Sequence, residues 1–175
     1  MEIEQTDIIN STPENVYHIV RDHLSQIAEH LPNVKKIDQI QYQKNSSSTH
    51  EIINRWYANI DLPYILSKFV SEDLFSWKDT AIWFDDKKCV QYDLESFYAN
   101  NFFSAKGANY FSPYGKHKTK LKVTCSFQIN PENIPGIPRL MTKKLAPMID
   151  KLVVKALAPN TKSLGVAIKS YLKEV

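Results

Sequence analysis

The stretch KTKLKVTCSFQI (residues 118–129) decides the reading of this chain, together with RLMTKKLAPMIDKLVVKALA (139–158) downstream of it. In the first stretch Leu121, Val123, Cys125, Phe127 and Ile129 alternate with Lys120, Lys122, Thr124, Ser126 and Gln128. That is the period of two of a strand with one apolar face. Pro131, Pro135, Gly136 and Pro138 then interrupt regular structure. In the second stretch Met141, Leu145, Met148, Leu152 and Ala156 recur at helical intervals, and Ile149 and Val153 widen the stripe. The simplest way to dry an apolar sheet face and an apolar helix stripe is to lay one across the other. Where they do not close fully, a pocket remains between them.

Upstream of this pair, residues 102–111, 89–98 and 81–84 read as strands joined by turns at 112–116, 99–101 and 85–87. With 118–129 they predict a four-stranded antiparallel meander. Residues 34–44 and 49–58 flank the polar turn 45–48 and read as a hairpin. At the front, residues 2–10 suit a short strand. Ser11 or Thr12 then caps a helix with Pro13 in its first turn, and the apolar spacing of Val16, Ile19, Val20, Leu24, Ile27, Ala28 and Leu31 carries it to about Leu31, before Pro32 and Asn33. Residues 59–78 are ambiguous: Leu62-Pro63-Tyr64 bars a strand interior, and Ile65, Leu66, Phe69, Val70 and Leu74 suit either a short helical turn or an irregular strand. In the terminal helix, Pro147 predicts a kink or a helix start nearby. Residues 158–161 predict the end of one helix and the cap of another, which ends near Leu172.

Composition narrows the classes. A chain of 175 residues with a hydrophobic fraction of 43% and 20 aromatic side chains fits one ordinary domain, residues 1–175, with a bulky core. Four glycines argue against a glycine-dense phosphate loop, and a formal charge of +3 with dispersed basic residues gives no reason to expect a nucleic-acid partner. Cys89 and Cys125 stand alone, without metal or redox spacing, and read as buried free thiols. The acidic start lacks the features of a secretory signal, and no apolar run spans a membrane, so the expectation is a soluble cytoplasmic protein. His18, His23 and His30 have no partner at the four-residue spacing that puts two zinc ligands on one helix face. His50 and His117 read as a strand-start and a loop histidine. No metal or cofactor is expected.

Strand, helix, hairpin, irregular patch, meander and long terminal helix is an order that resembles the START and Bet v 1-like superfamily, which includes polyketide cyclases and lipid-transport proteins. Local patterns add to it: Ser-Thr-Pro-Glu-Asn-Val at 11–16, Leu-Pro-Tyr at 62–64, Trp77 with Trp83, Lys106-Gly107, and Ala-Pro-Asn-Thr-Lys-Ser-Leu at 158–164. The resemblance implies an α+β helix-grip fold, in which a curved antiparallel sheet wraps a long C-terminal helix, and storage or transfer of an apolar ligand held between them.

The candidate wall draws Trp56 from the hairpin, Tyr92 and Leu94 from strand 89–98, Val123, Cys125 and Phe127 from the last strand, and Met141, Leu145, Met148 and Leu152 from the helix. Methionines adapt to irregular apolar shapes, and Tyr or Trp adds a polar tip. The competing reading is that these side chains fill one another's space. Asp93 and Glu95 alternate with Tyr92 and Leu94 and are expected at solvent; pointing inward, they would become acid–base candidates for a cyclase or hydrolase. Arg55 beside Trp56 is expected outward as well. The partner expected is an apolar small molecule or lipid, and the series Lys116, Lys118, Lys120 and Lys122 suits transient contact with an anionic membrane surface.

Overall fold

The computed structural model describes residues 1–99 and 101–174, without the side chains at 72, 73 and 131. Among these residues seven strands form one antiparallel, curled and unclosed sheet: β1 (Glu2–Ile9), β2 (Val34–Lys44), β3 (Thr49–Ala58), β4 (Ser76–Phe84), β5 (Cys89–Ser96), β6 (Phe103–Pro113) and β7 (Thr119–Ile129). Their order across the sheet is β1-β7-β6-β5-β4-β3-β2, so β1 and β2 are the edges. The helices are α1 (Pro13–Asp22), α2 (Leu24–Ile27), α3 (Tyr64–Ser67) and the 33-residue α4 (Arg139–Tyr171). This is the helix-grip architecture that the sequence implies.

The elements follow from local chemistry. Thr12 caps α1 by accepting a hydrogen bond from the Asn15 backbone N–H at 3.3 Å, and Pro13 opens the helix. The apolar spacing that predicts one helix to Leu31 is instead divided: α1 stops at Asp22, and α2 and a 3-10 turn (Ala28–His30) follow. That bend lets Ile27, Ala28 and Leu31 stay in the core under a curved sheet, which a straight rod would leave. Strand β4 starts at Ser76, earlier than its apolar run predicts, and β5 ends at Ser96. Asn100, in the turn predicted at 99–101, lies outside the described residues.

The largest departure from expectation is α4, which runs unbroken through Pro147 and Pro159 instead of dividing at 158–161. A proline at position 159 has no N–H for the Lys155 carbonyl and pushes that carbonyl off the helix axis. Asn33, after α2, supplies the missing donor: its Nδ2 donates to the Lys155 carbonyl at 2.9 Å. Asn160 then locks the joint, its Nδ2 donating to the Ala156 carbonyl at 2.6 Å while its Oδ1 accepts from the Asn33 backbone N–H at 3.3 Å. Further along, Gly165 lies flat against the Asp7 side chain of β1, where a Cβ would collide, and Lys169 closes on Asp7 at 3.2 Å. The second half of α4 is thereby held down on the β1 edge.

The buried residues separate into clusters. One gathers α1, α2, the middle of the sheet and the end of α4 (Tyr17, Val20, Leu31, Ala81, Trp83, Val123, Leu164). Another gathers the 60–75 segment and the first half of α4 (Leu66, Phe75, Trp77, Phe102, Leu145, Ile149, Leu152). A network at the end of the β4–β5 hairpin ties α1 to the sheet. Asp85 accepts from Tyr17 at 2.9 Å and Arg21 at 2.8 Å, and it meets His50 at 2.8 Å, whose other ring nitrogen meets the Tyr42 hydroxyl at 2.7 Å. Burial pushes the Asp85 carboxyl up, but the bonds from His50 and Tyr17 outweigh it and hold it below its ordinary range. No helix among the described residues is long and apolar enough to cross a membrane.

Candidate functional site

At the seam between those two clusters the sheet and α4 do not close. A cavity of about 90 Å³ lies there, beneath Leu157, Asn160, Thr161 and Leu164 of α4. The Pro159 joint with its Asn33 strut therefore positions the roof. The floor is the concave face of the sheet, read across paired strands: Trp56 opposite Trp77, Asp79 opposite Leu94, Ala81 opposite Tyr92, and Trp83 opposite Val90, which in turn faces Asn109. Val123 completes it, opposite Asn109. Val20, Leu24 and Leu31 from the α1–α2 region close one end.

The walls are aromatic. All three tryptophans of the chain line the cavity, and the Trp56 and Trp77 rings stack at 5.7 Å between centroids and 19° between planes. Tyr92 crosses over Gly107, whose missing side chain leaves the room, and its hydroxyl donates to the Thr124 carbonyl at 2.9 Å. Burial pushes the Tyr92 hydroxyl well above its usual range, so it remains protonated.

Polar atoms interrupt this lining at chosen places. Asp79 is 5% exposed, Trp83 3% and Asn109 7%. The Asp79 Oδ2 accepts from Trp56 Nε1 at 3.0 Å and from Asn54 Nδ2 at 3.3 Å, which leaves Oδ1 without a partner among the described residues. Trp83 Nε1 and Asn109 Oδ1 also lack partners there. An unpaired buried donor or acceptor costs about 1–3 kcal/mol, and native structures hold few of them. Among the described residues four buried side-chain atoms are left so, and three of the four belong to residues that line this one cavity. Burial pushes the Asp79 carboxyl up to about 6, against the lowering effect of its bonds to Trp56 and Asn54. Asp79 therefore changes charge near neutrality inside an apolar site.

The residues singled out from sequence fall in three places. Trp56, Tyr92, Leu94 and Val123 line the cavity. Cys125 and Phe127 are buried with Ile3 and Ala105 in a separate cluster, and Phe127 borders a shallow groove of about 750 Å³ beside Met1, Asp150 and Val154. Leu145 and Leu152 are core residues of the 60–75 cluster, with Met141 and Met148 packed against it, away from the cavity. The helical stripe is real, but it packs into the 60–75 cluster, and the cavity lies under the turns that follow it, from Leu157 to Leu164. Asp93 and Glu95 point to solvent, paired with Lys106 at 2.9 Å and with Lys78. Arg55 lies among the rings of Tyr57, Phe97 and Tyr98, its nearest approach 4.0 Å to the Phe97 ring. His117 sits in an exposed turn, outside the lining. Lys116, Lys118 and Lys120 are exposed, and Lys122 pairs with Glu4 at 3.0 Å. Sequence reasoning passed over Asp79, Asn109 and Asn160. For Asp79 a signal was available: Trp77, Asp79, Ala81 and Trp83 share one parity, which puts a carboxylate in an apolar register.

No protein-family profile matches the chain, and no curated protein does. Solved structures do. A Thermus thermophilus protein, TTHA0849, superposes with a TM-score of 0.63 at 17% identity, covering 99% of this chain and 98% of its own. The Zhui aromatase/cyclase from a Streptomyces species gives 0.60 at 9% identity, over 99% of this chain and 94% of that one. A START superfamily protein from Mycobacterium smegmatis gives 0.52 at 13% identity, over 99% and 97%. At these identities the likeness establishes architecture, and architecture alone does not fix function. The chain thus has the START/Bet v 1-like helix-grip fold, with its cavity in the space between sheet and terminal helix.

Proposed function

We propose that the protein binds a small, largely apolar molecule in the cavity between the concave sheet face and α4. The observation that carries this reading is the concentration of buried polar atoms without a partner among the described residues, on Asp79, Trp83 and Asn109, in a hollow otherwise walled by Trp, Tyr, Leu, Val and Ala side chains and by Asn160 and Thr161, whose side chains already donate to α4 carbonyls. Polar groups in this setting fix the orientation of a ligand whose apolar body supplies the affinity. The volume of about 90 Å³ is well under the several hundred Å³ of a drug-sized pocket. It favours a ligand of about one ring over a long acyl chain.

The test uses the three tryptophans as reporters. Cyclohexanol added to the protein is expected to shift the indole N–H resonances of Trp56, Trp77 and Trp83, and Val123→Trp, which fills the hollow, is expected to abolish that response in a protein that still unfolds cooperatively. An unchanged response in the variant contradicts the assignment. Asp79 favours a second reading, catalysis of the cyclase or hydrolase type, because a carboxyl near neutrality with one free oxygen can move a proton. A molecule recovered from the protein at unchanged mass after prolonged incubation counts against that second reading.

A further inference from the structure

A buried carboxyl is ordinarily paired with a cation or fully hydrogen bonded. Among the described residues Asp79 has neither arrangement. No lysine, arginine or histidine is among the described residues that line the cavity. Lys78, its neighbour in sequence, is turned out onto Glu95. Arg55, opposite Lys78 on the adjoining strand, lies among aromatic rings with its guanidinium hydrogen bonded to the Tyr98 hydroxyl at 2.6 Å. Among the described residues, the groups that stabilise the Asp79 charge are the neutral donors Trp56 and Asn54, and both act on Oδ2.

The residues that share the cavity with Asp79 are aromatic. Trp77 lies two residues along β4 on the same face, with Trp56 stacked on it. Tyr92 belongs to the next strand over, opposite Ala81. Indole and phenol faces attract a desolvated cation, and the attraction strengthens when water is excluded. A neutral hydroxyl could donate to Oδ1 but would leave the charge uncompensated, and an anion would add repulsion. A metal ion would need several ligands, and no group of three or more His, Cys, Asp or Glu side chains suited to one occurs among the described residues.

Resting on the cavity reading above, we propose that the ligand is a compact organic cation: a protonated amine on a small apolar body. Its ammonium group donates to Oδ1 of Asp79 beside the Trp56–Trp77 pair, and its carbon skeleton lies against Ala81, Leu94 and Tyr92 beneath Leu157 and Leu164. The ligand itself supplies the counter-ion that the described residues do not.

The experiment compares three probes of one shape, cyclohexylamine, cyclohexanol and cyclohexanecarboxylate, by titration of the three indole N–H resonances at pH 7.5, where Asp79 is mostly ionised. The amine is expected to bind at least tenfold more tightly than the alcohol, and the carboxylate more weakly than either. In Asp79→Asn the ratio of amine to alcohol affinity is expected to fall from at least tenfold to about one. An alcohol that equals the amine in the unmodified protein, or an amine preference that survives Asp79→Asn, overturns the inference while leaving the cavity reading intact. If none of the probes perturbs the indoles, the cavity reading itself falls, and this inference with it.

Discussion

Replacing Asp79 by asparagine should make the protein more stable at neutral pH and leave it nearly unchanged in acid. In the folded chain the carboxyl titrates at about 6 instead of its ordinary 3.8. It therefore holds its proton about a hundredfold more tightly than in the unfolded chain, and each tenfold is worth about 1.4 kcal/mol. Below pH 3.8 both states are protonated and the group has no effect on the pH dependence of folding. Between 3.8 and 6 the folded state binds more protons than the unfolded one, so stability falls as pH rises. Above that range the full cost, about 3 kcal/mol, persists. Asparagine carries no such term, and its single oxygen still accepts from Trp56 and Asn54, so the remaining change is about 1 kcal/mol of either sign. The measurement is urea denaturation of both proteins from pH 4 to pH 8, followed by tryptophan fluorescence. The difference between them should grow in favour of Asp79→Asn by about 2.5 kcal/mol across that range, since about 0.5 kcal/mol of the cost is already present at pH 4. Other carboxylates, Asp85 included, contribute equally to both proteins and cancel. A difference that does not change with pH, or that favours the natural protein increasingly as pH rises, would refute the claim that Asp79 is an uncompensated buried acid.

Other consequences are open to measurement. Asn33→Ala should cost about 1 kcal/mol of unfolding free energy, because the Lys155 carbonyl loses its donor; Pro159→Ala in the same chain should recover most of that by restoring a helical N–H, and strict additivity in the double-mutant cycle would contradict the strut. Asp85→Asn should destabilise by about 1–2 kcal/mol at pH 7. Since Asp85 is held below its ordinary range, that stabilisation is present above 3.8 and lost as pH falls through its folded value, so the two proteins should converge in acid; a constant gap would count against the network. Gly107→Ala should cost about 1–3 kcal/mol in denaturation experiments, since its Cβ would meet both the Tyr92 hydroxyl and the Thr124 carbonyl, and a neutral outcome would mean that Tyr92 does not cross the glycine.

The sheet was legible where side chains alternate without interruption. Strand β7 and most of β5 and β6 read directly, because a half-buried strand writes its two faces into the sequence; β2, exposed along most of its length, alternates only partly, and the hairpin β2–β3 was legible from the polar turn 45–48. The start of β4 did not. Ser76, Lys78, Asp79 and Thr80 make that stretch look polar, and the signal that it is a strand is parity, with Asp79 on the same side as both tryptophans. The unity of α4 was also hidden. Pro159 and Asn160 carry local signals for a helix end, and what overrides them is Asn33, more than a hundred residues earlier, filling the hydrogen bond that proline forfeits. The candidate wall was half legible for the same reason. The stripe Met141, Leu145, Met148, Leu152 identifies the buried face of the helix but not the part of the sheet beneath each turn, and that depends on where the Pro159 joint sets α4 down. Asn109 gave no sign of itself, since an asparagine is ordinarily at the surface and its burial here depends on the neighbouring strands.

The most direct test of the account is a crystal structure of the protein soaked with cyclohexylamine. Density for the ring is expected between Ala81, Tyr92 and Leu164, with its nitrogen within hydrogen-bonding distance of Asp79 Oδ1. A hollow filled by its own side chains, with the amine absent or bound elsewhere, would contradict it.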